Sequence, residues 1–361
     1  MLKVGIVGLP NVGKSTIFNA LLKKQVADVA NYPFCTIEPN VGVIAVPDAR
    51  LPELAKVVDT NMIIPAAIEF YDIAGLVRGA SEGEGLGNKF LSHIRETALV
   101  CHVVRLFEDT NITHIHEKLD PLSDMQTIET ELMLADISVL SNQKEPKGAA
   151  SQEDISRWEV IQKVMNALNA GTSVRDMGLS DEEKQSVGMF NLLTLKPVLY
   201  VCNVSEKQLT DEKSTLEKIH EILPSDQDSV MICAHLEQEL STLPGDDQKE
   251  YLKQYGLQET SLGRLVTAAY HKLQLISFLT AGPKEVRAWT IPAGTRAPQA
   301  AGVIHTDFER HFIKAEIVPY HAFIQAGGWQ GAREKGLATF AGKEYIMKDG
   351  DVVDFKVGAQ K

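Results

Sequence analysis

The sequence predicts an α/β protein: a parallel sheet covered by helices, interrupted by a long helical segment and followed by a small mixed α+β unit. Three observations predict it. Apolar strand-like runs recur at 3–7, 66–71, 99–104, 198–202 and 230–233, separated by stretches long enough for helical crossovers. Between 122 and 195 the pattern turns helical, with Ile128, Leu132, Ala135 and Val139 stepping by four, three and four residues and Trp158, Ile161, Met165 and Leu168 by three, four and three. Beyond 277 the runs become short and alternating, at 286–291, 345–347 and 352–355, the last preceded by the turn Lys348-Asp349-Gly350-Asp351.

In chain order, the first run leads into Gly8-Leu9-Pro10-Asn11-Val12-Gly13-Lys14-Ser15, and then into a segment with Ile17, Phe18, Leu21 and Leu22 on one helical face. This G-x-x-x-x-G-K-S pattern between a buried strand and a helix is a phosphate-binding loop. A loop that wraps phosphates turns its backbone N–H groups inward. That requires glycine where φ is positive or where a side chain would block close approach, which Gly8 and Gly13 satisfy. Lys14 is then expected to reach the β- and γ-phosphates and Ser15 to offer its hydroxyl to Mg²⁺, with Pro10, Asn11, Val12, Gly13 and Thr16 completing the cradle at the positive end of the helix.

Downstream, Asp72-Ile73-Ala74-Gly75 follows the next buried run. In nucleotide hydrolases with such a loop, an aspartate here holds Mg²⁺ through water and the glycine N–H senses the γ-phosphate. Thr36, in Asn31-Tyr32-Pro33-Phe34-Cys35-Thr36, is the candidate second hydroxyl on the metal. Leu76 stands where a glutamine often orients the attacking water. An aliphatic side chain cannot do so, and hydrolysis is expected to be slow or to use a group from elsewhere. His114 or His116, in the polar stretch 108–116 after a strand end, are the candidates. Gly79, Gly83, Gly85 and Gly87 read as hinges of the same region.

The fourth run ends in Asn203-Val204-Ser205-Glu206, where guanine-specific proteins carry N-K-x-D. Valine lacks the lysine stem that packs on the base, and glutamate misplaces the bidentate carboxylate. A nearby carboxylate repels adenine N1, whereas an asparagine can pair with adenine N6 and N7. ATP is therefore expected to bind at least as well as GTP. Cys233-Ala234-His235-Leu236-Glu237 stands where a second base-contacting loop would lie, or else forms a plain strand-end turn.

The segment 122–195 reads as an antiparallel helical arm inserted into the sheet domain, with ordinary covering helices as the alternative. At 361 residues the chain accommodates two or three domains. Its four cysteines form no C-x-x-C pair, which argues against a zinc site or disulfide framework and suits a reducing cytosol. No apolar run reaches membrane-spanning length, and the apolar N-terminus contains the phosphate loop, so a cytoplasmic protein is expected. A net charge of -12 argues against indiscriminate nucleic-acid binding. The stretch 278–361 differs, with eleven Lys and Arg against nine Asp and Glu, leaving -14 for the rest. Any RNA contact is expected there, with Lys284, Arg287, Arg296, Arg310 and Lys314 as candidates.

Taken together, the phosphate loop, the 31–40 segment, Asp72-Ile73-Ala74-Gly75-Leu76, Gly83-Glu84-Gly85-Leu86-Gly87-Asn88-Lys89-Phe90, Asn203-Val204-Ser205-Glu206 and the Phe278/Thr280-Ala281-Gly282 opening make the chain resemble the YchF family of Obg-like ATPases, essentially end to end. The resemblance implies a G domain (1–121 and 196–277), an inserted helical arm (122–195) and a TGS domain of β-grasp fold (278–361). It implies slow ATP hydrolysis with some GTP binding, Mg²⁺, association with the ribosome and no membrane. It also implies a catalytic histidine at the position of His114, with Gly75, Asn203, Val204 and Glu206 among the nucleotide-binding residues. A guanine-specific GTPase and a ribosome- or RNA-binding module with a structural nucleotide stand as alternatives.

Overall fold

The order of elements follows from where each apolar run meets a turn or cap. The computed structural model describes residues 2–28, 40–73, 86–108, 119–148, 150–223, 228–257 and 259–358. The first half contains β1 (Lys3–Val7), α1 (Lys14–Asp28), β2 (Val41–Ala45), α2 (Arg50–Val57), β3 (Ile63–Ile64), β4 (Ala67–Asp72), α3 (Leu86–Glu96) and β5 (Leu99–Arg105). Next come α4 (Pro121–Ser141), α5 (Gln152–Asn169), α6 (Asp181–Val187), β6 (Val198–Asn203), α7 (Glu206–Thr210), α8 (Glu212–Ile222), β7 (Ser229–Ile232), α9 (Ala234–Leu240), α10 (Gly245–Gln254) and α11 (Ser261–Lys272). The last part holds β8 (Leu275–Ala281), β9 (Val286–Pro292), α12 (Ala297–Ile304), α13 (Thr306–Arg310), β10 (Phe312–Pro319), α14 (Tyr320–Ala326), α15 (Trp329–Glu334), β11 (Thr339–Ala341) and β12 (Asp351–Val357).

The first sheet has the order β2-β4-β1-β5-β6-β7 and bears out the α/β reading. Its strands are parallel except β2, which runs antiparallel to β4 along one edge. This edge strand is absent from the sequence reading, because Gly42 splits its apolar run and one edge needs no crossover. Val4, Ile6, Ile68, Phe70, Leu99 and Val103 are buried between the helices, as expected of strands covered on both faces.

The helical segment divides its apolar face between two cores. Ile128, Leu132 and Ala135 of α4 join the main core beneath the sheet, while Leu140 packs with Ile161, Val164 and Leu168 of α5 in a separate core. α4 thus packs first beneath the sheet and then against α5. Asp120 caps α4 ahead of Pro121, and Ser180 with Glu183 forms a capping box on α6. Asp136, fully buried, accepts hydrogen bonds from Leu193 N, Thr194 N and Thr194 Oγ1 at 2.8, 2.8 and 2.7 Å, tying the return of the segment to α4.

The second sheet has the order β11-β10-β12-β8-β9-β3. The β8–β9 hairpin, α12 on one face and β12 parallel beside β8 give the β-grasp arrangement. β8 starts at Leu275, three residues ahead of the 278 boundary expected from sequence. The stretch 345–347 forms only an isolated bridge, between Ile346 and Arg296, and is not a strand. A single pair cannot extend here, because the chain turns at Gly342 and again into β12. Registers place Arg287 opposite Thr280 and Lys314 opposite Lys356, and with Val352 opposite Leu279 these two basic residues fall on opposite faces of the sheet. Arg287 and Lys314 therefore do not share one patch, and Arg296 is paired with Glu344 at 3.1 Å.

The sixth strand, β3, comes from the first half of the chain. Ile63 and Ile64 pair in parallel with Val286 and Arg287, and Met62 O accepts from Val286 N at 2.9 Å. Arg50 on α2 strengthens the same junction: it forks onto Asp48 through Nε and Nη2, and donates from Nη1 to Asp349 at 2.8 Å. Asp349 in turn accepts from Ser277 N. The bonds to Asp48, then those to Asp349, raise the guanidinium well above its ordinary range against the cost of burial. Arg50→Ala is expected to lower stability in urea titrations by about 1–3 kcal/mol, because both carboxylates lose a charge-assisted partner at a half-buried site. An unchanged midpoint and slope would show that the junction does not depend on it.

Candidate functional site

The strand order reverses direction around β1, and in open α/β sheets ligands bind at the carboxyl ends of the strands at such a switch point. Five segments meet there: the loop after β1, Asp72 at the end of β4, Phe107 and Glu108 after β5, the turn after β6, and Cys233–Ala234 after β7.

The phosphate loop occupies the turn from β1 to α1, and its glycines are set by close approach. A Cβ on Gly8 would lie 2.6 Å from Val103 O, and one on Gly13, where φ is +102°, would lie 2.2 Å from Asn203 Nδ2. Asn11 adopts φ of 62°, a left-handed conformation that asparagine tolerates. Lys14 is 7% exposed and donates from Nζ to Leu9 O at 2.6 Å, so its charge is folded back over the loop that precedes it. Burial lowers its amine to about 8, opposed in part by the attraction of Asp72. Burial likewise pushes the Asp72 carboxyl upward, and Lys14 pulls it back. Among the described residues, Asp72 Oδ1 is buried without a hydrogen-bond partner, while Ser15 lies exposed in the first turn of α1. A lone carboxylate oxygen and a free hydroxyl at a helix start suit a hard cation that keeps its water shell.

Asn203 ends β6 and is 3% exposed. Its Nδ2 donates to Val12 O at 2.9 Å and its Oδ1 accepts from Ala234 N at 3.1 Å. These two bonds tie the phosphate loop to the loop after β7, while the residue also borders the cleft and its amide nitrogen carries a second N–H. Val204 borders the cleft, but its side chain is buried in a second core with Cys202, Leu209 and Met231, and its N–H donates to Ile232 O. Glu206 begins α7 behind the capping Ser205, and its carboxylate faces His235 Nδ1 at 3.3 Å and Tyr255 OH at 3.1 Å.

These residues enclose a cleft of about 620 Å³ that reaches Asn11, Gly13 and Thr16 on one side and Glu206, His235 and Gln238 on the other. Its size suits a nucleoside. Pro10, Val12, Lys14 and Ser15 stand in or beside the loop, so the structure brings together every described phosphate-loop position read from sequence. Phe107, absent from the sequence reading, also borders the cleft. Arg105 lies 4.8 Å over its ring and donates to its carbonyl at 2.9 Å. A lone phenylalanine two residues past a strand carries no motif. Thr36, Gly75, His114 and His116 lie outside the described residues.

Residues 3–143 match the family model described as a 50S ribosome-binding GTPase, and residues 275–358 match the model of the YchF GTPase C-terminal region, described as a protein of unknown function. A ribosome-binding ATPase YchF from Bacillus subtilis (strain 168) is 46% identical over 362 residues, covering 98% of this chain and 99% of its own. The chain belongs to the YchF family. A second YchF ribosome-binding ATPase, from Haemophilus influenzae, is 48% identical over 360 residues with 98% of both chains covered. The solved structure of the Schizosaccharomyces pombe YchF GTPase superposes with a TM-score of 0.87 at 36% identity, over 98% of this chain and 97% of that one. The names of these YchF proteins divide between ATPase and GTPase, which places the weight on the base cleft. Among the described residues of this YchF chain, no helix is long and apolar enough to cross a membrane.

Proposed function

We propose that this chain is a ribosome-associated P-loop ATPase that binds ATP with Mg²⁺ in the cleft between the phosphate loop and Glu206, and cleaves it slowly. The observation that carries the reading is the Asn203 brace, which makes the phosphate loop and the base cleft one unit. Loop N–H groups and Lys14 hold the phosphates. Ser15 and Asp72, with Thr36, would hold Mg²⁺, which neutralises phosphate charge when bound. Gly75 senses the γ-phosphate. The base lies among Phe107, Val204 and Glu206, and GTP is the weaker ligand. The YchF relatives named as ribosome-binding ATPases support both the nucleotide and the ribosome. Contact through the large subunit or the whole particle, and a cytoplasmic setting, are part of the same proposal. The division into 1–121 with 196–277, 122–195, and a TGS domain at 278–361 belongs to the same reading, as does RNA contact through the last two parts.

Competition of ATP and GTP for the purified protein tests the base. Micromolar GTP binding without ATP binding would overturn the reading. For catalysis, His114 is the assigned group. His114→Ala is expected to slow single-turnover phosphate release by about 100-fold, the scale of a lost general acid–base group, with ATP affinity unchanged. Equal rates in both proteins would remove His114 from the mechanism and favour a structural nucleotide.

A further inference from the structure

The Glu206 carboxylate is fastened at both oxygens. Oε1 faces His235 Nδ1 on α9, and Oε2 accepts from the Tyr255 phenol just past α10. The two fasteners are themselves braced. Tyr251 OH donates to Glu239 Oε2 at 3.1 Å, the Tyr251 and Tyr255 rings lie 5.6 Å apart, and His235 Nδ1 stands 3.8 Å from Glu239 Oε1. Glu206, His235, Glu239, Tyr251 and Tyr255 thus close a polar ring at the rim of the cleft. Tyr251 and Tyr255 pack against the second core beside Leu252, so one side of the ring is set by the body of the protein.

A carboxylate reads guanine by turning both oxygens to the base, one to N1–H and one to the 2-amino group. Here that turn would break two hydrogen bonds to a charged acceptor. Adenine makes no such demand. We propose that His235 and Tyr255 are specificity-determining positioning residues, which disfavour guanine by holding the Glu206 carboxylate sideways in the cleft. The inference rests on the nucleotide reading above.

The test compares dissociation constants of Mg²⁺ with fluorescent ATP and GTP analogues for the full chain, Tyr255→Phe, and Tyr255→Phe combined with His235→Ala, each with Glu206 or with Glu206→Ala. Freeing the carboxylate in the double variant is expected to shift the ATP-to-GTP preference by about tenfold towards GTP, the scale of one or two charge-assisted hydrogen bonds. The readout is the ratio of the two affinities, and an unchanged thermal melting midpoint reports an intact fold. With Glu206→Ala already present the same changes should leave the ratio unmoved. An unmoved ratio in the double variant, or an equal shift without Glu206, overturns the inference while leaving nucleotide binding intact. A wild-type chain that binds neither analogue overturns the nucleotide reading and this inference with it.

Discussion

Lys14→Met is expected to weaken triphosphate binding by about 2–5 kcal/mol, or roughly 30- to several-thousand-fold, since it removes a buried charge from its anionic partner. The thioether side chain retains the stem, so packing beside Leu9 and Asp72 is largely kept. The nucleotide-free protein should respond in the opposite direction. Its lysine is held near 8, below the ordinary 10.5, so between these values the native state binds fewer protons than the unfolded chain. This contribution to stability therefore rises with pH from about 8 to 10.5 and is lost as pH falls through that window. Lys14→Met should flatten the rise and, at neutral pH, stabilise the free protein by on the order of 1–3 kcal/mol. Because phosphate favours the charged amine, affinity should fall as pH climbs past about 8 in the wild type alone. Calorimetric titrations at pH 7, 8 and 9, beside thermal melts over the same range, measure both effects. Full affinity in Lys14→Met would show that the loop holds anions without it.

Gly13→Ala is expected to have the second large effect. The new Cβ would fall 2.2 Å from Asn203 Nδ2 at a φ of +102°, so either the loop or the amide must move. Moving the amide breaks its bonds to Val12 O and Ala234 N together, and moving the loop misaims the N–H groups that receive phosphate. A loss of about 2–4 kcal/mol in unfolding free energy is expected, from strain plus two buried hydrogen bonds. Nucleotide affinity should drop by at least about 100-fold through loss of loop geometry. Asn203→Ala removes the clashing atom. In that background Gly13→Ala should cost at least about 1 kcal/mol less than alone, the coupling expected of residues in contact. Strict additivity would mean that the two positions do not communicate.

What the sequence made legible follows the distance over which each feature is encoded. The phosphate loop is eight consecutive residues between a strand and a helix, so its chemistry and placement could be read directly. The parallel core strands were visible because their burial on both faces leaves apolar runs, and Asp72 could be placed by its position after one of them. The bracing role of Asn203 was hidden, because its partners Val12 and Ala234 lie on separate loops. Glu206 was seen as a base reader without His235 and Tyr255, since only folding brings α10 to its side. Ile63–Ile64 is too short to carry any period, and the alternation at 345–347 exceeds the pairing that the backbone gives it. Short edge elements depend on a neighbour that local pattern does not reveal.

The two-residue strand β3 also bears on the order in which the chain is made. Ile63 and Ile64 leave the synthesising machinery long before Val286 and Arg287, the residues that pair with them. Until then the Met62 carbonyl and its neighbours have only water. Arg50 likewise waits for Asp349, although Asp48 is already beside it. Residues up to 232 can build the first sheet during this interval, but the strap at 62–64 closes only once β9 is made. A tail expressed alone would offer β9 as a bare edge, open to pairing with another copy. The pairing of β3 with β9 therefore ties a segment made early to one made more than two hundred residues later.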